Sequence, residues 1–233
     1  MRKQEINTPL FWLQDAGFSA YLVGNQVRDR LLKMDFDRFD VDIATSAKPK
    51  QVVTVLKKNN LIPTAVDEQF GVVSFRFNGV IYEITTFRQD IYKGDFERVK
   101  RYPDAIRFVP VAAEDSSRRD LTINAIYLNP KTGKYLDYHG GMADIKNKII
   151  RVIGDPMIRF QEDPLRLLRV VRFRHLLKFK YDPATLKAMK LSAGLIRKLS
   201  PTIVKKEFGK LQDLPNYSAV KQELQRLGLS QIT

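Results

Sequence analysis

The sequence predicts an α+β protein, with a β-sheet domain and its helices over roughly residues 1–150 and an all-α domain over 151–233. Three observations carry this reading. Residues 39–45, Phe-Asp-Val-Asp-Ile-Ala-Thr, alternate apolar and polar with the two-residue period of a strand. Residues 72–77 and 80–87 are rich in β-branched and aromatic side chains, and only Asn78-Gly79 separates them, a two-residue hairpin signal. After Ile149-Ile150 the composition changes to helix: a segment starts at Gly154-Asp155-Pro156, and after Tyr181-Asp182-Pro183 two or three more follow, broken at Gly194, Ser200-Pro201, Leu214-Pro215 and Gly228.

At 233 residues the chain has room for one large domain or two small ones, and its 44% hydrophobic content is that of a globular protein. The absence of cysteine excludes disulfides, thiolate zinc sites and a cysteine nucleophile. Met1-Arg2-Lys3-Gln4-Glu5 has no apolar leader, and no apolar run reaches the roughly 18 residues of a membrane span, so a cytoplasmic protein is expected. Nothing in the sequence fixes an oligomeric state. Of the formal charge of +14, residues 151–200 supply a net +8 from 12 Lys/Arg against 4 Asp/Glu. Such a concentration suits a polyanion, nucleic acid ahead of membrane, although solvated Lys-rich helices give the same sum.

In chain order, Leu10 to Leu13 with Ala16 form a short amphipathic helix ended by Gly17, and residues 18–23 an apolar strand. Gly24-Asn25-Gln26-Val27-Arg28-Asp29 then turns into a helix. A strand, a tight turn and a helix start present free backbone N–H groups that suit phosphate, and Arg28 could add a charged contact. A plain strand-to-helix connection with a surface Arg28–Asp29 pair fits equally. In the strand at 39–45, Phe39, Val41 and Ile43 face one side, while Asp40 and Asp42 face the other about 6–7 Å apart. Two carboxylates so placed repel each other and call for a cation. Mg²⁺, held by one or two carboxylates plus substrate phosphates, is the candidate. Taken alone, the pair is more often a half-exposed edge strand with solvated acids. Ser46 is expected to cap a helix through Leu56 and Lys57. Glu83, flanked by inward Tyr82 and Ile84, completes a three-carboxylate site if its strand lies beside Asp40 and Asp42, and is otherwise one polar position on an open face.

Residues 88–110 break the pattern: Arg88, Lys93, Arg98, Lys100, Arg101 and Arg107 alternate with Tyr92, Phe96, Tyr102 and Phe108. A long loop is expected, either a lid or single-strand contact surface or an irregular connection. Arg118-Arg119-Asp120-Leu121-Thr122-Ile123-Asn124-Ala125 offers donors and acceptors for a ribose and a phosphate, or a buried Arg119–Asp120 pair that pins a helix start. Gly154-Asp155-Pro156 opens a helix on which Glu162, Arg166 and Arg169 are expected on one face, at i, i+4 and i+7, with Asp163 beside them. Two acceptors and a planar donor fork can pair with the edge of a base. An i,i+4 ion pair with Asp163 capping ahead of Pro164 is the simpler alternative. Arg166, Arg169, Arg172, Arg174, Lys178 and Lys180 spread positive charge along this helix, and Leu165, Leu168, Val171 and Phe173 form its buried side.

Taken together, five ordered motifs resemble the class II branch of the polymerase-β-like nucleotidyltransferases, the group of bacterial-type tRNA CCA-adding enzymes and bacterial poly(A) polymerases. They are Gly24-x-x-Val27-Arg28-Asp29, Asp40-x-Asp42-Ile43-Ala44-Thr45, Glu83-x-Thr85-Thr86-Phe87-Arg88, Arg118-Arg119-Asp120-x-Thr122-Ile123-Asn124-Ala125, and Gly154-Asp155-Pro156 leading to Glu162-Asp163-Pro164-Leu165-Arg166. The resemblance covers roughly residues 20–210 and implies a head with a mixed β-sheet followed by a helical neck. It implies that Asp40 and Asp42 hold two Mg²⁺ ions for in-line transfer of a nucleotide to an RNA 3′-hydroxyl, with Glu83 a third catalytic carboxylate. Gly24, Asn25 and Arg28 would hold the triphosphate, and Arg119, Asp120 and Asn124 the ribose. Glu162, Asp163 and Arg166 would pair with the Watson–Crick edge of CTP or ATP, Arg169 and Arg172 would meet RNA phosphates, and the segment at 88–110 would reorient the base-reading residues between C and A addition. The implied partners are the tRNA 3′ end, CTP and ATP. Poly(A) synthesis, partial addition of C or A only, and a non-catalytic RNA- or NTP-binding module are the alternatives. Two departures stand out. Asn25 occupies a position where the family usually has a second Gly; its tolerance of left-handed backbone is expected to preserve the turn, while close backbone approach to phosphate is expected to be impaired. The chain ends soon after the neck, whereas relatives continue into body and tail domains, so nucleotide binding is expected to outlast tight tRNA binding.

Overall fold

The computed structural model describes residues 6–34, 40–93 and 102–229. Met1 to Glu5, Phe39, Phe96, Arg98, Lys100 and Arg101, named above, lie outside the described residues. Contacts divide the chain into two units: Met1–Ile91, Ala105–Arg119 and Ile123–Met142 form the first, and Tyr92–Asp104, Asp120–Thr122 and Ala143–Thr233 the second.

The first unit is built on seven strands: β1 (Ala20–Leu22), β2 (Asp40–Thr45), β3 (Ala65–Asp67), β4 (Val72–Phe77), β5 (Val80–Thr86), β8 (Ile126–Leu128) and β9 (Tyr135–Asp137). Their order across the sheet is β3-β4-β5-β2-β1-β8-β9. All neighbours are antiparallel except β2 and β5, so the sheet is mixed. The hairpin β4–β5 closes where expected, because Asn78 and Gly79 both take positive φ, the backbone that a tight hairpin turn demands. Helix α1 (Thr8–Asp15) and helix α3 (Pro49–Lys58) pack on each other. Their Leu10, Leu13, Val52 and Leu56 are buried, as are Val41, Ile43, Phe75, Tyr82 and Ile84 of the sheet. Helix α2 (Asn25–Leu31) follows β1, and α4 (Ala112–Ser116) carries Ala112 into a second cluster with Val23, Ala44, Phe87, Val109 and Tyr127.

Two local expectations are corrected here. Lys48, not Ser46, precedes the first turn of α3, where Pro49 sits at the first helical position and Gln51 Oε1 accepts from Lys48 N–H at 2.8 Å. The Ser46 hydroxyl instead accepts from the Ser19 N–H at 3.0 Å. The segment at 88–110 is not a loop throughout. Strands β6 (Arg88–Ile91) and β7 (Ala105–Phe108) pair antiparallel with Arg88 opposite Phe108. Polar and charged side chains hide this ribbon from a hydrophobic pattern: Arg88 pairs with Asp90 along it at 2.8 Å, and the Gln89 amide donates to Glu114 of the following helix at 2.9 Å.

Helix α5 (Gly141–Asn147) spans the division between units. The second unit contains α6 (Pro156–Glu162), α7 (Leu165–Leu177), α8 (Pro183–Ser192), α9 (Pro201–Gln212) and α10 (Tyr217–Arg226). A short parallel pair joins β10 (Ile149–Ile150) to β11 (Lys180–Tyr181). Asp155 and Asp182 cap α6 and α8 through side-chain bonds to Met157 N–H and Thr185 N–H, each ahead of a proline at the first helical position. A single helix through Glu162 and Arg166 is not what forms. Asp163 is extended, with φ −148 and ψ 99, because the Pro164 ring disfavours helical backbone in the residue before it. Among the described residues, no helix is long and apolar enough to cross a membrane.

Candidate active site

Parallel pairing puts Asp42 of β2 directly opposite Glu83 of β5 and Asp40 opposite Ile81. In-register neighbours in a parallel pair project to the same face, so Asp40, Asp42 and Glu83 share one side of the sheet while Val41, Ile43, Tyr82 and Ile84 are buried on the other. Burial pushes the Asp42 carboxyl upward and the negative charge of Glu83 adds to this. The Arg119 guanidinium opposes it and Asp40 raises it again, for a value of about 6. A carboxylate crowded by like charges holds a proton when it has nothing better, and a divalent cation is the better partner. Among the described residues no three His, Cys, Asp or Glu side chains are gathered around one point. Hard oxygens from two strand carboxylates nevertheless suit Mg²⁺, which commonly completes its shell with substrate phosphates and water.

The raised value has a sign. The folded protein binds the Asp42 proton more tightly than the unfolded chain does, so ionisation of Asp42 costs stability as pH rises from about 4 to about 6, and a bound cation relieves that cost. Below about pH 6 a metal ion bound at Asp42 would have to displace this proton, and its apparent affinity is then expected to fall up to about tenfold per pH unit. Mg²⁺ dependence of nucleotide binding at pH 5 and pH 7 measures this; equal Mg²⁺ requirements at both pH values would exclude Asp42 as a ligand.

The turn after β1 lies against these carboxylates. Val23 N–H donates to the Asp42 carbonyl at 3.2 Å, and the Gln26 side-chain amide donates to the same oxygen at 2.6 Å. Gly24 takes φ +81, and a Cβ there would stand 3.0 Å from Asp42 Oδ2. The positive φ belongs to Gly24, while Asn25 takes helical backbone as the first residue of α2, so the left-handed tolerance expected to matter at Asn25 is not called upon. Its side chain has another task. Asn25 Oδ1 accepts from Arg28 Nη1 at 2.9 Å, and because a guanidinium only donates, the amide nitrogen of Asn25 must face the other way. Arg28 is 2% exposed and also donates to Asn124 Oδ1 at 2.8 Å and to Asp29 at 2.7 Å. The turn and Asn124 are thus joined through one arginine.

The remaining residues of the Arg-Arg-Asp cluster separate. Arg119 Nε donates to the Tyr127 hydroxyl at 2.9 Å and Nη2 to Asp115 Oδ2 at 3.0 Å, rather than pairing with Asp120. Asp120 belongs to the second unit, where it accepts from Arg169 Nε at 2.8 Å and from the Leu121 N–H at 2.8 Å. Burial pushes the Asp120 carboxyl up, but the Arg169 charge and these bonds outweigh it, for a value of about 2.

Within the second unit, Glu162 ends α6 and Arg166 lies in the first turn of α7, yet they still meet, with Arg166 Nη1 2.8 Å from Glu162 Oε2. The same oxygen accepts from Arg159 Nη1 at 2.5 Å, and Arg166 Nη1 also donates to the Arg159 carbonyl at 2.8 Å. Asp163 Oδ1 accepts from the Leu165 N–H at 3.0 Å. Arg172 pairs with Glu207 at 3.2 Å. A cavity of about 420 Å³ is lined by Asp163, Arg169, Lys206 and Lys210 among others. The sequence reading missed Gln26, Asp115, Tyr127 and Arg159. Spacing carries a signal for two of them: Asp115 stands three and four residues before Arg118 and Arg119, and Arg159 three before Glu162.

Residues 20–151 match the model of the poly A polymerase head domain. The chain belongs to this family. As a family member it is 39% identical over 232 residues to a CCA-adding enzyme of Lactobacillus helveticus, a match covering 91% of this chain and 55% of that protein. It is 40% identical over 219 residues to one of a Geobacillus species, covering 93% and 51%. The solved structure of the Bacillus stearothermophilus CCA-adding enzyme in complex with CTP superposes with a TM-score of 0.86 at 34% identity, over 100% of this chain and 54% of that one. A tRNA nucleotidyltransferase complexed with a primer tRNA and an incoming ATP analog superposes with a TM-score of 0.76 at 25% identity, over 95% and 60%. The chain therefore spans about half the length of the curated relatives it matches.

Proposed function

We propose that this protein carries the nucleotide-transfer centre of a cytoplasmic tRNA CCA-adding enzyme, which transfers CMP and AMP from CTP and ATP to the tRNA 3′ end and releases pyrophosphate. The observation that carries the reading is the placement of Asp42 in register with Glu83 and against Gly24, which supports a metal-bound triphosphate at the end of β1. Asp40 and Asp42, with Glu83 beside them, would hold Mg²⁺; when bound it neutralises triphosphate charge and lowers the proton affinity of an attacking hydroxyl. Gly24 lets the backbone pass close to both carboxylate and phosphate. The outward amide of Asn25 supplies a donor to phosphate oxygen, with Arg28 holding it from behind. Arg119 and Asn124 of the first unit bind the ribose. Glu162, Asp163 and Arg166 read the base edge. The two-guanidinium grip on Glu162 holds its carboxylate still, and a fixed acceptor discriminates better than a mobile one. Arg169 and Arg172, with the basic helices around them, bind RNA phosphates.

The test uses tRNA lacking its CCA end. CTP alone is expected to extend it by C residues only, and CTP with ATP to complete the end. Long A-tails formed without CTP would replace this reading with poly(A) synthesis. No incorporation under any condition would leave a binding module.

A further inference from the structure

Asp115 is wholly buried, and four donors converge on its carboxylate. The Arg88 N–H at 3.2 Å and Arg118 Nε at 2.8 Å reach Oδ1; Arg119 Nη2 at 3.0 Å and the Tyr127 hydroxyl at 2.6 Å reach Oδ2. Burial alone would push this carboxyl up, yet Arg119 and Arg118 hold it at about 2, so it is a charge at any working pH. Tyr127 closes a triangle, since its hydroxyl donates to Asp115 and accepts from Arg119 Nε at 2.9 Å. Nε and Nη2 lie on one edge of a planar guanidinium, so gripping both fixes the plane and direction of the whole fork. A helix turn and a strand supply the two anchors: Asp115 comes from α4, four residues before Arg119, and Tyr127 from β8. Tyr127 also packs in one buried cluster with Val23, the residue before Gly24, and Ala44 of β2, so the clamp is anchored to the elements that carry Gly24 and Asp42, and the Arg119 charge acts to lower the Asp42 carboxyl.

We propose that Asp115 is a positioning residue for the nucleotide site, holding Arg119, together with the Tyr127 hydroxyl, in the one orientation that meets the incoming nucleotide. This rests on the site reading above. Asp115 acts through Arg119 and touches no substrate itself. An unclamped arginine samples many rotamers and must be ordered again at each binding event, so part of the binding free energy is spent on freezing it.

Equilibrium binding of CTP with Mg²⁺ tests this in the parent protein, Tyr127→Phe, Asp115→Asn, Arg119→Ala, and the two combinations with Arg119→Ala. Both clamp variants are expected to weaken CTP binding, Asp115→Asn by about tenfold and Tyr127→Phe by less, as loss of a hydrogen bond to a charged group implies. Neither is expected to add to the defect of Arg119→Ala, because with the fork gone there is nothing left to position. A merely structural role would weaken binding in both backgrounds alike, and that outcome overturns the inference, as does parent-like binding by both clamp variants. If Asp115→Asn does not fold, Tyr127→Phe, which removes one oxygen from a ring that stays buried, carries the comparison. A parent protein that binds no CTP overturns the site reading and the inference with it.

Discussion

Replacing Asp42 with Asn is expected to lower nucleotide incorporation by about a thousandfold or more while leaving the fold at least as stable as before. The two effects have one origin. Burial, with the charges of Glu83 and Asp40 and against that of Arg119, raises the Asp42 carboxyl to about 6, so at neutral pH the metal-free protein holds an ionised group in a place that disfavours it. Asparagine removes that charge at nearly the same volume. The unfavourable term it relieves is on the order of 1–3 kcal/mol, bounded by the size of the shift. Catalysis suffers because a carboxamide cannot replace a carboxylate as a ligand for a hard divalent cation, and the charge stabilisation lost is several kcal/mol, worth a thousandfold or more in rate. Single-turnover incorporation and thermal melting without metal measure the pair of effects. A variant that is inactive because it has lost stability would speak for a packing role, and one that retains activity would remove Asp42 from the chemistry.

Gly24→Ala is expected to cost about a hundredfold in kcat/KM together with about 1–3 kcal/mol of stability, the cost of forcing a residue with a Cβ into a sparsely populated backbone region. At φ +81 and ψ −146 only glycine sits without strain, and the new Cβ would stand 3.0 Å from Asp42 Oδ2. Relief requires either the turn to retreat from the carboxylate or the carboxylate to leave its position opposite Glu83, and either movement separates the turn from the metal face. Here stability and activity fall together, in contrast to Asp42→Asn. Asn25→Gly makes a useful comparison, because Asn25 already has helical backbone, so the change removes its bond to Arg28 and its amide donor without straining the turn. It is expected to bind CTP several-fold more weakly without the large rate defect.

Much of the first unit's sheet was legible because its signals are local. Asn78-Gly79 specifies a turn by backbone conformation alone, and the alternation from Val41 to Ile43 separates a buried face from an acidic one. Whether Glu83 lies beside Asp42 was legible only as a condition, since strand neighbours across a sheet are chosen by tertiary packing; parallel pairing of β2 with β5 supplies the answer. The break at Asp163 was hidden by the i,i+4 spacing of Glu162 and Arg166, which makes the same contact across a helix junction as within a helix. Pro164 was the warning, because it constrains the residue before it. The β6–β7 ribbon was hidden because charge pairs such as Arg88–Asp90 take the place of an apolar face. Arg119 was read against its sequence neighbour Asp120, but adjacent residues seldom face each other, and its partners are Asp115 one helical turn earlier and Tyr127 on a strand.

The central claim is that the Asp40, Asp42 and Glu83 face beside Gly24 holds a metal-bound nucleotide triphosphate. Equilibrium binding of CTP to the parent protein and to Asp42→Asn, each with and without Mg²⁺, tests it most directly. Mg²⁺ is expected to tighten CTP binding to the parent protein at pH 7 by tenfold or more and to leave the variant nearly unchanged; an equal response to Mg²⁺ in both proteins would show that no metal-bound triphosphate sits on this face.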